Sequence, residues 1–140
     1  MIRAVLDTNV IVSGLLWGGL PSLVFQAARD ELFVAILTES LLSETINVLA
    51  RDKFAEQLAA RQINLESLAM QYRAAAEIVE PAEVPTGIVR DPKDVMILAC
   101  AVGGKADFIV SGDKDLLTLV SYEQIPILTA EQFLDRLSNP

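Results

Sequence analysis

The sequence contains no histidine, and that absence excludes whole classes of chemistry. Without an imidazole there is no Ser-His-Asp triad, no Cys-His pair, no histidine acid–base ribonuclease chemistry and no histidine-based zinc site. A single cysteine, Cys100, allows neither an internal disulfide nor a thiolate zinc cluster, and its place in the run VMILACAV reads as inert core. No uninterrupted apolar run approaches the roughly 18 residues of a spanning helix, and MIRAVLDTN lacks a signal-peptide cleavage pattern. The expectation is a cytoplasmic protein with no membrane partner. Positive charge is also scarce, with 11 Lys and Arg against 19 Asp and Glu and a net charge of −8. That balance argues against sequence-blind attraction to nucleic acid, since Lys and Arg make the phosphate contacts. A nucleic-acid substrate therefore requires local basic patches and bound metal. If this chain performs chemistry, carboxylates must carry it.

What is present is a 140-residue chain, 52% hydrophobic, which predicts one domain spanning 1–140 with a real core. No internal repeat, low-complexity tract or linker interrupts it. IRAVLD and LFVAIL (32–37) are short β-branched apolar runs and read as buried strands, the first stopped by the turn-prone Asp7-Thr8-Asn9. Helical spacing appears over about 21–31, from Thr38 to about Arg51, and over about 53–62 and 64–77. IVEPAEVPTG reads as a short strand followed by a proline-broken loop. Asp91-Pro92 then starts a helix to about Val102, ADFIVS gives a strand, KDLLTL a short helix, Ile125 to Leu128 the last strand and Thr129 to Leu137 the last helix. Such alternation predicts an α/β fold with a mainly parallel sheet and helices on both faces. Ligands on such sheets bind beyond the carboxyl ends of the strands.

Four carboxylates fall where that fold brings residues together: Asp7 in VLDTN, Glu44 in LLSETINVL, Asp94 in RDPKDVMILACA and Asp113 in FIVSGDKDLL. Each adjoins or interrupts an apolar run, where an isolated charge is expensive to bury. A divalent cation such as Mg²⁺ or Mn²⁺ is the generous supply of positive charge for converging acids. Bland readings compete at every position. Asp7 suits a turn, Glu44 a solvated helix face, and Asp113 and Asp115 the cap and first turn of a short helix assisted by Ser111. Asp91 reads as a structural N-cap, with Pro92 at the first helical position. Asp94 differs, because its helical stripe continues through the apolar Ile97, Leu98 and Ala101.

The segments around DTNV, SETINVL, DPKDVMILACA and ADFIVSGDKDLL resemble, in order and context over essentially the whole chain, the acidic motifs of PIN-domain ribonucleases. Within that superfamily the chain most resembles a compact prokaryotic branch described as toxin components of toxin–antitoxin systems. The resemblance implies a three-layer fold with a five-stranded parallel sheet, Mg²⁺ or Mn²⁺ dependence, RNA hydrolysis and frequent dimerisation. It makes Asp7, Glu44, Asp94 and Asp113 the metal-site acids, Asn9 and Ser111 polar supports and Asp115 an auxiliary acid, with Asp113 and Asp115 competing for the fourth place. Lys93 and Lys114 are candidates to position a phosphate or to offset the acids, with Arg3, Arg90 and Arg51 behind them at the rim. Trp17 and Phe25 are candidates for base stacking or an interface, Phe25 being the better core residue.

The expected function is a metal-dependent endoribonuclease that hydrolyses RNA by metal-activated water. One ion is held mainly by Asp7, Asp94 and Asp113, with a weaker one near Glu44. The expected partners are RNA, an antitoxin protein and a second copy of the chain in a homodimer or higher homo-oligomer. Two alternatives stand beside it: a non-catalytic interaction module that keeps the fold, and an aspartyl phosphatase. The latter commonly needs a second Asp two positions after the first, where Asn9 stands.

Overall fold

The computed structural model describes residues 1–139. Strands β1 (Arg3–Leu6) and β2 (Val34–Leu37) each carry three consecutive buried residues, Ala4-Val5-Leu6 and Ala35-Ile36-Leu37. Successive strand side chains point to opposite faces, so burial without alternation means that both faces are covered. The sheet has six strands in the order β3-β2-β1-β4-β6-β5, where β3 is Glu77–Ile78, β4 Phe108–Val110, β5 Ser121–Tyr122 and β6 Ile125–Leu128. All pairings are parallel except β5 with β6.

The expected count of five strands is corrected by β5, a two-residue antiparallel strand at the edge. It is joined to β6 by Glu123 and Gln124, both at positive φ of 48° and 67°. That is the backbone of a tight hairpin made without the Asn-Gly or Asp-Gly pair that usually announces one.

Helices fill the crossovers: α1 (Thr8–Leu16), α2 (Gly19–Arg29), α3 (Glu39–Leu49), α4 (Ala55–Ala60) after a 3-10 turn at Asp52–Phe54, α5 (Leu65–Ala75), α6 (Pro92–Gly103), α7 (Lys114–Leu119) and α8 (Ala130–Ser138). Helix α1 is the element the sequence reading left unassigned. Its β-branched Val10, Ile11 and Val12 read poorly as helix, but all three are buried, and tertiary packing overrides their weak propensity. Helices α1 and α2 meet at 101°. A Cβ on Gly14 would lie 2.9 Å from the Pro21 carbonyl oxygen, so the crossing is closer than alanine permits.

One large core joins the sheet to α1, α2, α6 and α8, with Phe133 fully buried and edge-on to Phe33 at 4.8 Å. A smaller cluster of Val12, Leu16, Val48, Leu49 and Leu58 packs α1 against α3 and α4. Phe25 is partly buried with its ring 5.9 Å from Tyr72, as a core residue should be, while Trp17 is exposed. Cys100 is buried, and burial pushes its thiol up to about 12. No single helix among the described residues is long and apolar enough to cross a membrane.

The connectivity locates the site. The chain runs outward from β1 through β2 to β3, then returns to β4 on the other side of β1 and continues to β6. The reversal lies between β1 and β4, where a crevice opens at the carboxyl ends of the strands.

Candidate metal centre

Asp7 and Ser111 are the first residues past β1 and β4 on either side of that crevice. The Asp7 N–H donates to the Val110 carbonyl at 2.9 Å and carries the pairing one residue beyond β1. Its carboxylate then caps α1, Oδ1 accepting the Asn9 N–H at 3.4 Å, and Oδ2 accepts the Ser111 hydroxyl at 2.7 Å. Ser111 is fully buried, and its Oγ accepts the Asp113 N–H at 3.0 Å. Asp113 caps α7, its Oδ1 accepting the Asp115 N–H at 2.9 Å. A backbone N–H can only donate, so the Ser111 hydroxyl proton is directed at Asp7. One buried side chain thus orients two acids. Burial raises the Asp7 pKa and the Asp113 charge adds to it, while the Ser111 and Asn9 hydrogen bonds pull it down.

Asp94 enters from the first turn of α6. Asp91 caps that helix, its Oδ1 accepting the Lys93 N–H at 2.9 Å with Pro92 at the first position, as the capping reading predicted. Asp94 lies three residues past the cap with 4% of its surface exposed, and its Oδ2 is buried without a hydrogen-bond partner. Burial, followed by the charges of Asp113 and Asp7, lifts its pKa to about 6. Asp94, Asp113 and Asp115 each offer a carboxylate oxygen, and these lie within 4.8 Å of one another. Hard, anionic oxygen donors around an orphaned buried oxygen fit a divalent cation of the Mg²⁺ or Mn²⁺ type.

A cleft of about 130 Å³ opens over this cluster, with Asp7, Glu44, Arg51, Lys93, Asp94 and Asp113 in its wall. Glu44 comes from α3 opposite α6 and is paired across the cleft with Lys93, Nζ to Oε1 at 3.1 Å. Asp115 is paired with Arg90 at 3.1 Å. Beneath the rim, Thr8 and Thr45 share a buried hydroxyl–hydroxyl hydrogen bond at 3.3 Å that ties α1 to α3. The sequence reading missed this pair, for which the polar Thr45 on an otherwise apolar arc was the only hint. Larger depressions of about 530 Å³ lie elsewhere, one of them between α2 and α5. The donor set, rather than size, identifies the acid cleft.

The structure therefore brings Asp7, Glu44, Asp94 and Asp113 to one cleft and sets Asp115 beside Asp94 and Asp113. Asn9 contributes its N–H and is otherwise exposed. Lys114 is exposed and makes no ion pair among the described residues. Arg3 does not belong to the rim. It stands at the first position of β1, at the far end of the strand from Asp7, and its guanidinium is held by Gly104 and Glu77. Arg3 and Asp7 are close in sequence, but an extended chain rises about 3.3 Å per residue and so sets them on the order of 13 Å apart.

The family model described as PIN domain matches residues 3–115, from the first residue of β1 to the last acid of the cluster. No curated protein and no solved structure matches the chain.

Proposed function

The chain belongs to the PIN-domain family, and from that premise we propose that it is a Mg²⁺- or Mn²⁺-dependent endoribonuclease, the toxin component of a type II toxin–antitoxin system. PIN domains are generally metal-dependent nucleases. The observation that carries the reading to this chain is the orphaned, buried Oδ2 of Asp94 facing the charges of Asp113 and Asp115.

Asp94, Asp113 and Asp115 would hold the ion, with Asp7 across the crevice as a further acid beside it. When bound, the ion supplies Lewis acidity, activating water near neutral pH and offsetting charge on the phosphate. The Ser111 hydroxyl favours the ionised form of Asp7 against the burial that raises its pKa, and its second contact, with the Asp113 N–H, ties the two acids together. Glu44, paired with Lys93 across the cleft, would be the acid available to a second ion. Lys93 serves as a counter-ion before it serves a phosphate, and exposed Lys114 contributes general attraction. No side chain acts as nucleophile. Asn9 stands where the aspartyl phosphatase chemistry needs a second acid, which argues against that reading. A homodimer and an antitoxin protein are the partners this reading carries with it.

Fragment chemistry tests the proposal. Attack by water in line with the 3′-oxygen leaves a 5′-phosphate and a 3′-hydroxyl, and needs no 2′-hydroxyl at the scissile position. Mass spectrometry of fragments made in Mn²⁺ is expected to show those ends, with no cleavage in EDTA. Cyclic or 3′-phosphate ends, or cleavage undiminished in EDTA, reject the mechanism. Folded protein that binds Mn²⁺ but cuts no RNA supports the interaction-module reading instead.

A further inference from the structure

Three cations stand at or beside the acid cleft, and two are committed. Lys93 Nζ lies 3.1 Å from Glu44, and Arg90 Nη2 lies 3.1 and 3.3 Å from the two Asp115 oxygens. Arg51 is the third. It follows Glu44 and Val48 along one face of α3 and its exit, and it lines the cleft with Asp7 and Asp94. Its guanidinium is exposed and makes neither an ion pair nor a hydrogen bond among the described residues. Its backbone N–H, donating to Val48 at 3.2 Å, anchors the residue while the side chain stays free. On the opposite flank of Asp113 a groove of about 520 Å³ is lined by Asn9, Ser13, Ser111, Thr129 and their neighbours, with no cation in it.

A phosphodiester crossing the acids needs positive charge beside them. Recruiting Lys93 or Arg90 means separating an existing ion pair, and Lys114 lines neither groove. Arg51 is available without that cost, and its planar fork matches a phosphate in two-point contact.

We propose that Arg51 binds the RNA phosphate next to the scissile one, which places the adjoining backbone on the α3 side of the cleft and the neighbouring nucleoside in the cation-free groove by Ser13 and Thr129. The inference rests on the nuclease reading above. Arg51 positions the substrate and takes no part in bond breaking.

The test compares wild type with Arg51→Gln, Arg51→Lys, Lys114→Gln and, as a control at the end of α2 and outside both grooves, Arg29→Gln. Arg51→Gln is expected to raise KM about tenfold with kcat changed less than threefold, the signature of lost ground-state binding. Arg51→Lys falls between. With oligonucleotides carrying one neutral methylphosphonate at successive positions, wild type loses a similar factor at a single flanking linkage, and Arg51→Gln loses nothing further there. Fluorescence anisotropy in EDTA, where nothing is cut, is expected to show the salt slope of binding reduced by about 0.7 in Arg51→Gln alone. Equal losses for wild type and Arg51→Gln at every modified linkage, or the same effects from Lys114→Gln, overturn the assignment. Wild type that neither binds nor cuts RNA removes the nuclease reading and this inference together. Wild type that cuts while Arg51→Gln behaves like Arg29→Gln removes this inference alone.

Discussion

The two ends of the parallel strands treat charge in opposite ways. At the amino end, the Arg3 guanidinium donates to the Gly104 carbonyl at 2.8 and 3.2 Å and pairs with Glu77 at 2.5 Å, while its backbone N–H donates to Asp107 Oδ2 at 2.9 Å. The Arg3 and Glu77 charges offset one another there, and Asp107 meets a donor. At the carboxyl end Asp7, Asp94 and Asp113 share one cleft, Arg90 and Lys93 are spent on Asp115 and Glu44, and a buried Asp94 oxygen meets no donor. The same residue types are used at both ends, and what separates them is the ratio of acids to donors. The amino end is complete without a ligand. The carboxyl end is left destabilised in a way that a cation relieves.

The most severe way to break this contrast is to neutralise the unsatisfied end. Asp94→Asn and Asp7→Asn are each expected to lower RNA cleavage on the order of 10²-fold or more. In Asp94→Asn the metal-free melting temperature should hold or rise, while the rise on adding Mn²⁺ should shrink. A large loss of metal-free stability with an unchanged Mn²⁺ response would return Asp94 to an ordinary structural role. At the complete end, Arg3→Met is expected to lower stability by about 2 kcal/mol in urea unfolding, the scale of lost hydrogen bonds to a charged group. Its Mn²⁺-induced shift should stay that of wild type, and a lost shift would show that the two ends are not independent.

A pH titration sharpens the comparison further. The Asp94 pKa of about 6 in the fold lies above the 3.8 of an unperturbed aspartate. Between those values the folded state binds the extra proton, so this group favours unfolding at neutral pH and the penalty fades as pH falls through 6. Metal-free wild type should therefore gain stability relative to Asp94→Asn, on the order of 1–2 kcal/mol, between pH 7 and pH 4.5. Parallel pH curves for the two proteins would refute a raised Asp94 pKa. The smallest effect is expected at Asp91→Asn, because Asn caps a helix about as well as Asp. Activity should stay within a few-fold of wild type, and losses equal to those of Asp94→Asn would merge two positions that the structure separates.

Much of this arrangement was legible before the fold was known, and the exceptions share a cause. The strands at Arg3–Leu6, Val34–Leu37 and Ile125–Leu128 and the cap at Asp91 were readable because each is a local pattern of apolar burial or turn chemistry. Helix α1 was not, because Val10, Ile11 and Val12 are helical only through the partners they pack against. Sequence alone left Asp113 and Asp115 as rivals, since both sit on one short turn. The structure brings both near Asp94, with Asp115 also tied to Arg90. Lys93 was readable as a cation to position a phosphate or to offset the acids, and which acid it pairs with depends on how α3 and α6 face one another, which no local window contains. Arg3 was placed at the rim behind Lys93 and Lys114, but it starts the extended strand that ends at the site and so lies at the strand's other end.

The sheet's outermost strands, β3 and β5, are two residues each. An edge that short offers a foreign strand almost nothing to pair with, and Pro81 and Pro85 follow closely on the β3 side. Growth by strand addition, the route to fibrils and to runaway domain exchange, is thereby closed at both rims.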